Sequence, residues 1–331
     1  MRLKNLKFLM MFAAVAMLLA HASCIKENMD DCPPEFNVRV LVEADADINA
    51  AYPERYGNVT SVSVYAFDSD GKFVTSKSGG SFTAGKEYSV PFSLPSGNFS
   101  FVVRTNLTSP YYRISHTDAQ LQSVLISNVS TYLDAAAFSG REITDDINNT
   151  HSGLKQNNEV IFNKESTIII PIVPHTYKIN FVVEGLSADN NPNDFVFKVT
   201  DNDFQYNFNN VKSPRGGTTG AAYTYTRTDN FTANKKTIAA SMMVLGLEDP
   251  VHTPSFVFSR KNATATPTQL YPATGQADLI YLIREAYKAQ TGNYPDFNKI
   301  FEFTIPFRFT VDMGVTLDLN YWDSIENPTY L

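Results

Sequence analysis

Cysteine is nearly absent. Two residues in 331, Cys24 and Cys32, exclude a disulfide-dense scaffold and a four-cysteine zinc site. Tryptophan occurs once, at 322, among 24 Phe and 17 Tyr. Charge is sparse at 18%, with a formal net charge of −7. Clustered Lys and Arg, the footprint of phosphate-backbone binding, are missing, so nucleic acid is not an expected partner. No apolar run reaches the roughly 20 residues a spanning helix needs. The motifs of chemistry are missing too. None of His116, His151, His175 and His252 sits in a zinc-binding spacing. No Gly-x-Ser-x-Gly elbow occurs, and Gly216-Gly217 lies in SPRGGTTG, which lacks the phosphate-loop lysine. Asp45-Ala-Asp47-Ile-Asn49 imitates the start of a calcium loop but has Ala50 where Gly and Tyr56 where Glu belong. Asp145-Asp146 and Asp201-Asn202-Asp203 read as turn chemistry. The expectation is a non-enzymatic chain with no catalytic residue, metal site or cofactor.

What is present begins at the N-terminus. Arg2, Lys4 and Lys7 precede a 13-residue apolar run, Phe8 to Ala20, and then His21-Ala22-Ser23-Cys24. This is the layout of an export signal. Small residues before a Cys resemble a bacterial lipobox, with His21 where Leu is usual. The reading is a signal peptide over 1–23, cleavage before Cys24, and acyl chains, palmitate among them, on that residue. The alternative is an ordinary secreted protein in which Cys24 and Cys32 are free to pair. Residues 24–35 form a polar, acidic tether, resembling the export signals that follow the lipidated Cys of Bacteroidetes surface lipoproteins.

Beyond the tether the pattern is alternation with period two, the mark of half-buried strands. Phe36 to Glu43 (FNVRVLVE) and Val59 to Phe67 show it, and Asp68-Ser69-Asp70-Gly71 turns the second into a hairpin ending at Lys77. Strands at 8–12-residue spacing predict an antiparallel sandwich. Helices are expected at 117–126 and at Asp278–Gln290; segment 139–158 reads as a loop or irregular stretch, and Pro171 and Pro174 confine 167–173 to an edge or to its end. Alternation restarts at Tyr177. That restart sets the expected units at 36–174 and 175–331, each strand-rich with a short helix.

Cys24, the acidic spacer, Cys32-Pro33, the first strand and the hairpin VTSVSVYAFDSDGKFV (59–74) together resemble the fimbrial anchor family of Bacteroidales, the lipoprotein anchors of type V pili. Val62, Tyr65, Phe67, Asp68, Asp70, Gly71, Lys72 and Phe73 carry the hairpin match. The resemblance implies two tandem transthyretin-like β-sandwich domains and a lipid-anchored, surface-exposed protein of the outer membrane and fimbrium. It implies stalk subunits (fimbrillins) as partners, joined by β-strand addition. An anchor keeps its first strand. A stalk or tip pilin is instead matured by proteolysis, for which Arg55, in the expected loop DINAAYPERYGN, is the candidate site. The C-terminal alternation Val315, Leu317, Leu319, Tyr321 and Trp322 is either the chain's own last strand or a strand donated to a stalk subunit. A third reading is a glycan-binding surface lipoprotein, using tyrosines such as Tyr111-Tyr112 or Tyr223-Tyr225 as stacking platforms.

Overall fold

In the computed structural model, the described residues are 36–107, 110–186, 191–202, 204–214, 222–228, 237–247, 254–262, 266–310 and 314–321. The fold is mainly β. The first half contains β1 (Val38–Ala44), β2 (Val62–Phe67), β3 (Phe73–Gly79), β4 (Tyr88–Phe92), β5 (Gly97–Thr105), β6 (Tyr112–Ile114), β7 (Ser130–Leu133), β8 (Glu142–Ile143), β9 (His151–Val160) and β10 (Ser166–Pro174). The second contains β11 (Thr176–Glu184), β12 (Phe195–Asp201), β13 (Phe204–Asn207), β14 (Lys212–Pro214), β15 (Tyr223–Arg227), β16 (Thr237–Leu245), β17 (Ser255–Arg260), β18 (Thr268–Tyr271), β19 (Ala277–Asp278), β20 (Glu302–Phe309) and β21 (Val315–Leu317). Three α-helices join them: α1 (Ala46–Ala51), α2 (Asp118–Leu121) and α3 (Leu279–Thr291).

The first sheet runs β3-β2-β5-β9-β10-β1-β4. Its joint is narrow, since β9 meets β10 only at Ser152–Val173 and His151–Pro174. The sheet folds over at that joint. Phe92 on β4 and Phe101 on β5, far apart in strand order, meet at 5.9 Å between ring centroids. Val38, Val40 and Val42 of β1 and Ile170 and Ile172 of β10 enter the space between the layers and are fully buried, as period-two alternation requires. In the second half, β16-β11-β20-β21 form one sheet and β18-β17-β12-β15-β8 another, with β19 against β17. They are held by stacked phenylalanines, among them Phe181 on Phe256 at 4.6 Å and Phe256 on Phe307 at 5.4 Å.

The sequence boundary at 174/175 falls between β10 and β11, yet two sheets cross it. The short β8 pairs with β15, and β7 pairs with β13 in the sheet β14-β13-β7-β6. Most pairings are antiparallel, as expected. Among the described residues β1·β10, β11·β20 and β15·β8 are parallel.

Two expectations differ from the structure. Segment 139–158 is not a loop, for it supplies β8 and most of β9. Backbone pairing with β5 holds β9 although its sequence is polar, and Gly153 lets β10 approach so closely that a Cβ there would sit 2.5 Å from Ile170. β10 lies between β9 and β1 in the sheet order, yet its β9 side is open beside Pro171, and Pro174 ends the strand, as the prolines predict. Its Pro171 is tolerated because β9 reaches only the last two residues of β10, leaving the missing N–H without a partner to disappoint. The helix expected at 117–126 stops after one turn at Leu121, whose side chain fills a small core with Phe67, Val102 and Phe208. The second expected helix is α3, capped by Asp278 and closed by Gly292 at φ 78°.

Candidate functional site

β1 is the strand on which the pilus readings turn. It lies between β10, parallel, and β4, antiparallel, with every residue from Val38 to Val42 paired on both sides. Its entry is pinned by Asn37, whose Nδ2 donates to Leu94 O at 2.7 Å and whose Oδ1 accepts from Leu94 N at 2.9 Å. Its exit is pinned by Asp45, which donates its N–H to Ile172 O and caps α1 by accepting from Ile48 N. The calcium-like run Asp45–Asn49 is thus a helix start.

The connection from β1 to β2 is not an open loop. After α1, a 3-10 turn (Pro53–Tyr56) drives Arg55 into the junction between the halves, where it is 2% exposed. Its guanidinium donates to Phe301 O, to Asn149 Oδ1 at 3.3 Å and to Met243 Sδ at 3.2 Å. Its carbonyl accepts from His151 Nε2 and from Asn149 Nδ2, each at 3.0 Å. Burial pulls the Arg55 pKa below its usual range, and the charge of Glu302 opposes that pull. Burial raises Glu302 in turn, but Lys178 at 2.7 Å and Asn180 at 2.8 Å hold it below the usual carboxylate range. His151 is fully buried, and burial lowers its pKa to about 3. Its Nδ1 meets Thr105 Oγ1 at 2.9 Å. His175 is held far below its usual value by burial and by Arg104; it contacts Ser152 and stacks on Tyr206 at 3.9 Å.

The C-terminal candidates divide. β21 is the last strand of the chain's own sheet, pairing Leu317 with Phe307 and Val315 with Phe309. The alternation expected through 322 breaks after Leu317. Asp318 turns inward and accepts from Arg308 Nε at 2.7 Å, leaving Leu319 41% exposed. Tyr321 is buried again. β20 holds Val315–Leu317 on one side, and the other side of β21 ends the sheet. Cys24, Cys32 and Trp322 lie outside the described residues. The tyrosines offered as glycan platforms are mostly core. Tyr112, Tyr223 and Tyr225 are buried, and Tyr111 stacks on Phe138 at 5.5 Å. Asp146 is no idle turn residue, since it bonds Arg227 and Met243 N.

The profile of the fimbrillin-A associated anchor proteins Mfa1 and Mfa2 matches residues 29–328. The chain belongs to this anchor family. Membership makes it a pilus-associated cell-surface protein whose family works structurally, alongside fimbrial subunits. Solved structures agree in fold. The fimbrial anchor protein Mfa2 from Porphyromonas gingivalis superposes with a TM-score of 0.61 at 17% identity, over 86% of this chain and 95% of that one. A protein from Bacteroides thetaiotaomicron described as an adhesin gives 0.67 at 17% identity, over 87% and 95%. A second protein of that organism, described as polysaccharide-binding, gives 0.61 at 15%, over 85% and 98%. No curated protein sequence matches. In an anchor-family chain the junction residues Asn149, His151 and Phe301 escape a reading by motif. Each is an ordinary residue in an unremarkable stretch, and only Arg55, a lone cation amid DINAAYPERYGN, stands out.

Proposed function

We propose that this chain ties a pilus to the outer membrane and ends its strand-complemented polymer. Residues 1–23 are removed as a signal peptide, Cys24 carries the lipid, and 24–35 tether two sandwich units, 36–174 and 175–331. Multiple acyl chains give stable attachment where a single one is marginal. A stalk subunit adds a strand to an open sheet edge, for which β21, last in its sheet, is the candidate.

The observation that carries this reading is the seat of β1. A pilin matured by cleavage must give up its first strand. Here that strand is paired on both sides, its valines are buried, and Arg55, the candidate cut, is 2% exposed and hydrogen-bonded across the junction. A protease needs an extended, accessible backbone, and the 3-10 turn offers neither. The test is mass spectrometry of the mature protein from native membranes. An acylated residue 24 with β1 retained is expected. Assembled protein beginning near Tyr56 would instead establish a cleaved stalk subunit.

A further inference from the structure

The strand registers place the two ends of the first sheet in different surroundings. Ala44, Thr105, His151 and Pro174 end at the junction with the second half. At the opposite pole Gly97 faces Val160, Val38 faces both Ser166 and Phe92, and Phe67 faces Ser100. That pole gathers the chain entry at Phe36–Asn37 and the turns 68–72, 93–96 and 161–165. It also carries exposed apolar side chains. Ile161 is 45% exposed and Phe162 51%, side by side at the tip of the β9–β10 turn. Leu125, 44% exposed, is bridged to Lys72 of the 68–72 turn at the same pole. The tip is held firmly. Phe162 N donates to Ser96 Oγ at 3.0 Å, Lys164 N to Ile161 O at 3.0 Å, and Ser166 N to Asn37 O at 2.9 Å. Two large apolar groups projected from a braced turn are a standing cost in water.

We propose that Ile161 and Phe162 insert into the lipid surface and orient the molecule upright on the membrane. The proposal rests on the lipidation of Cys24. Eleven residues, 25–35, separate that cysteine from Phe36, and even fully extended they span at most about 40 Å. Asn37 Nδ2 lies 3.4 Å from Ile161 O, so the turn adjoins the point of entry. The second half stands beyond the far end of β10, about 30 Å further away for nine strand residues. A tether this short keeps the tip at high effective concentration over the bilayer. Charge does not supply the attraction. Lys72 pairs with Asp70 and Arg39 with Glu165, and the pole sets Arg39, Lys72 and Lys164 against Asp68, Asp70, Glu159 and Glu165. Apolar side chains at an interface bind through buried area, which salt does not screen.

The test uses the full lipidated chain in phosphatidylethanolamine vesicles with brominated acyl chains. In a Trp322→Phe background, Phe162→Trp places a sole tryptophan at the tip, and Tyr281→Trp, at a site 58% exposed on α3, is the control. Quenching and a blue shift at 162, unchanged in high salt, with no quenching at 281, is the expected result. A protein that floats with the vesicles while both tryptophans stay unquenched, or are quenched alike, overturns this inference and leaves the anchor intact. A protein that does not float overturns the anchor reading and this inference with it. In the same Trp322→Phe background, Leu125→Trp should be quenched with the native turn and lose that quenching with Ile161→Ser and Phe162→Ser, which leave flotation and thermal stability unchanged.

Discussion

Arg55 shows how far one side chain departs from its sequence context. Beside Glu54 in a polar stretch it reads as a surface cation. In the structure its donors satisfy a main-chain carbonyl, an amide and a thioether drawn from both halves. Arg55→Ala should lower the free energy of unfolding by about 1–3 kcal/mol, because buried hydrogen bonds from a charged donor are lost at the junction, although Phe301 O keeps Lys178 N and Asn149 Oδ1 keeps Thr176 Oγ1; urea unfolding measures it. Arg55→Lys should recover only part, since one ammonium cannot replace a planar fork. His151 sets a pH dependence. Its folded pKa is about 3 against an ordinary 6.5, so the unfolded chain takes up the proton first. The stability it contributes is complete above about 6.5 and is lost as pH falls toward 3. The urea midpoint should fall between pH 7 and pH 5, and His151→Gln should remove one share of that slope, His175 keeping its own, while lowering the midpoint at pH 7.

Single elements owe their form to neighbours as much as to composition. β1 was legible from FNVRVLVE, and Val40→Ala should cost about 2 kcal/mol for the cavity it leaves between layers. β9 was not legible. KQNN in its middle has no apolar face, and Lys155, Gln156 and Asn157 are exposed; the strand exists because β5 pairs with it along most of its length. β21 was legible as a strand but not in extent. Truncation after Gly314 removes buried Val315 and Tyr321 and leaves Arg308 without Asp318. The melting temperature should drop by several degrees, as a loss of even 1 kcal/mol shifts domains of this size by about 2–4 °C. A truncated chain that keeps full stability yet no longer binds pilin would restore the donor reading for this terminus.

At the scale of the molecule, the halves are stitched rather than merely linked. β8 serves the second half's sheet, β7 pairs with β13, and Arg55 and His151 sit where the two meet. A load applied at a pilus-binding edge of the second half would therefore pass through hydrogen-bonded contacts to the unit nearest the tether. Cys24→Ala should move the protein from the detergent to the aqueous phase, or leave it unprocessed. None of the described helices is long and apolar enough to cross a membrane, so retention of the variant would sink the lipid anchor.

Local chemistry settled much of this protein in advance. Alternation specified most strands, an Asp and a Gly bounded α3, and the turn residues at 68–71 made the β2–β3 hairpin, because these signals act within a few residues of chain. The anchor family was legible for the same reason: its marks lie in one continuous stretch from Cys24 to Phe73. What tertiary structure decided involves partners far apart in sequence. The burial of Arg55 depends on Phe301, 246 residues away. The strand character of β9 depends on β5, and the reversal at Asp318 on Arg308. The pole shared by Phe36, Ser96 and Phe162 exists only through sheet register. Pairing and burial at such distances are set by how the layers close, and no local pattern of residues encodes that closure.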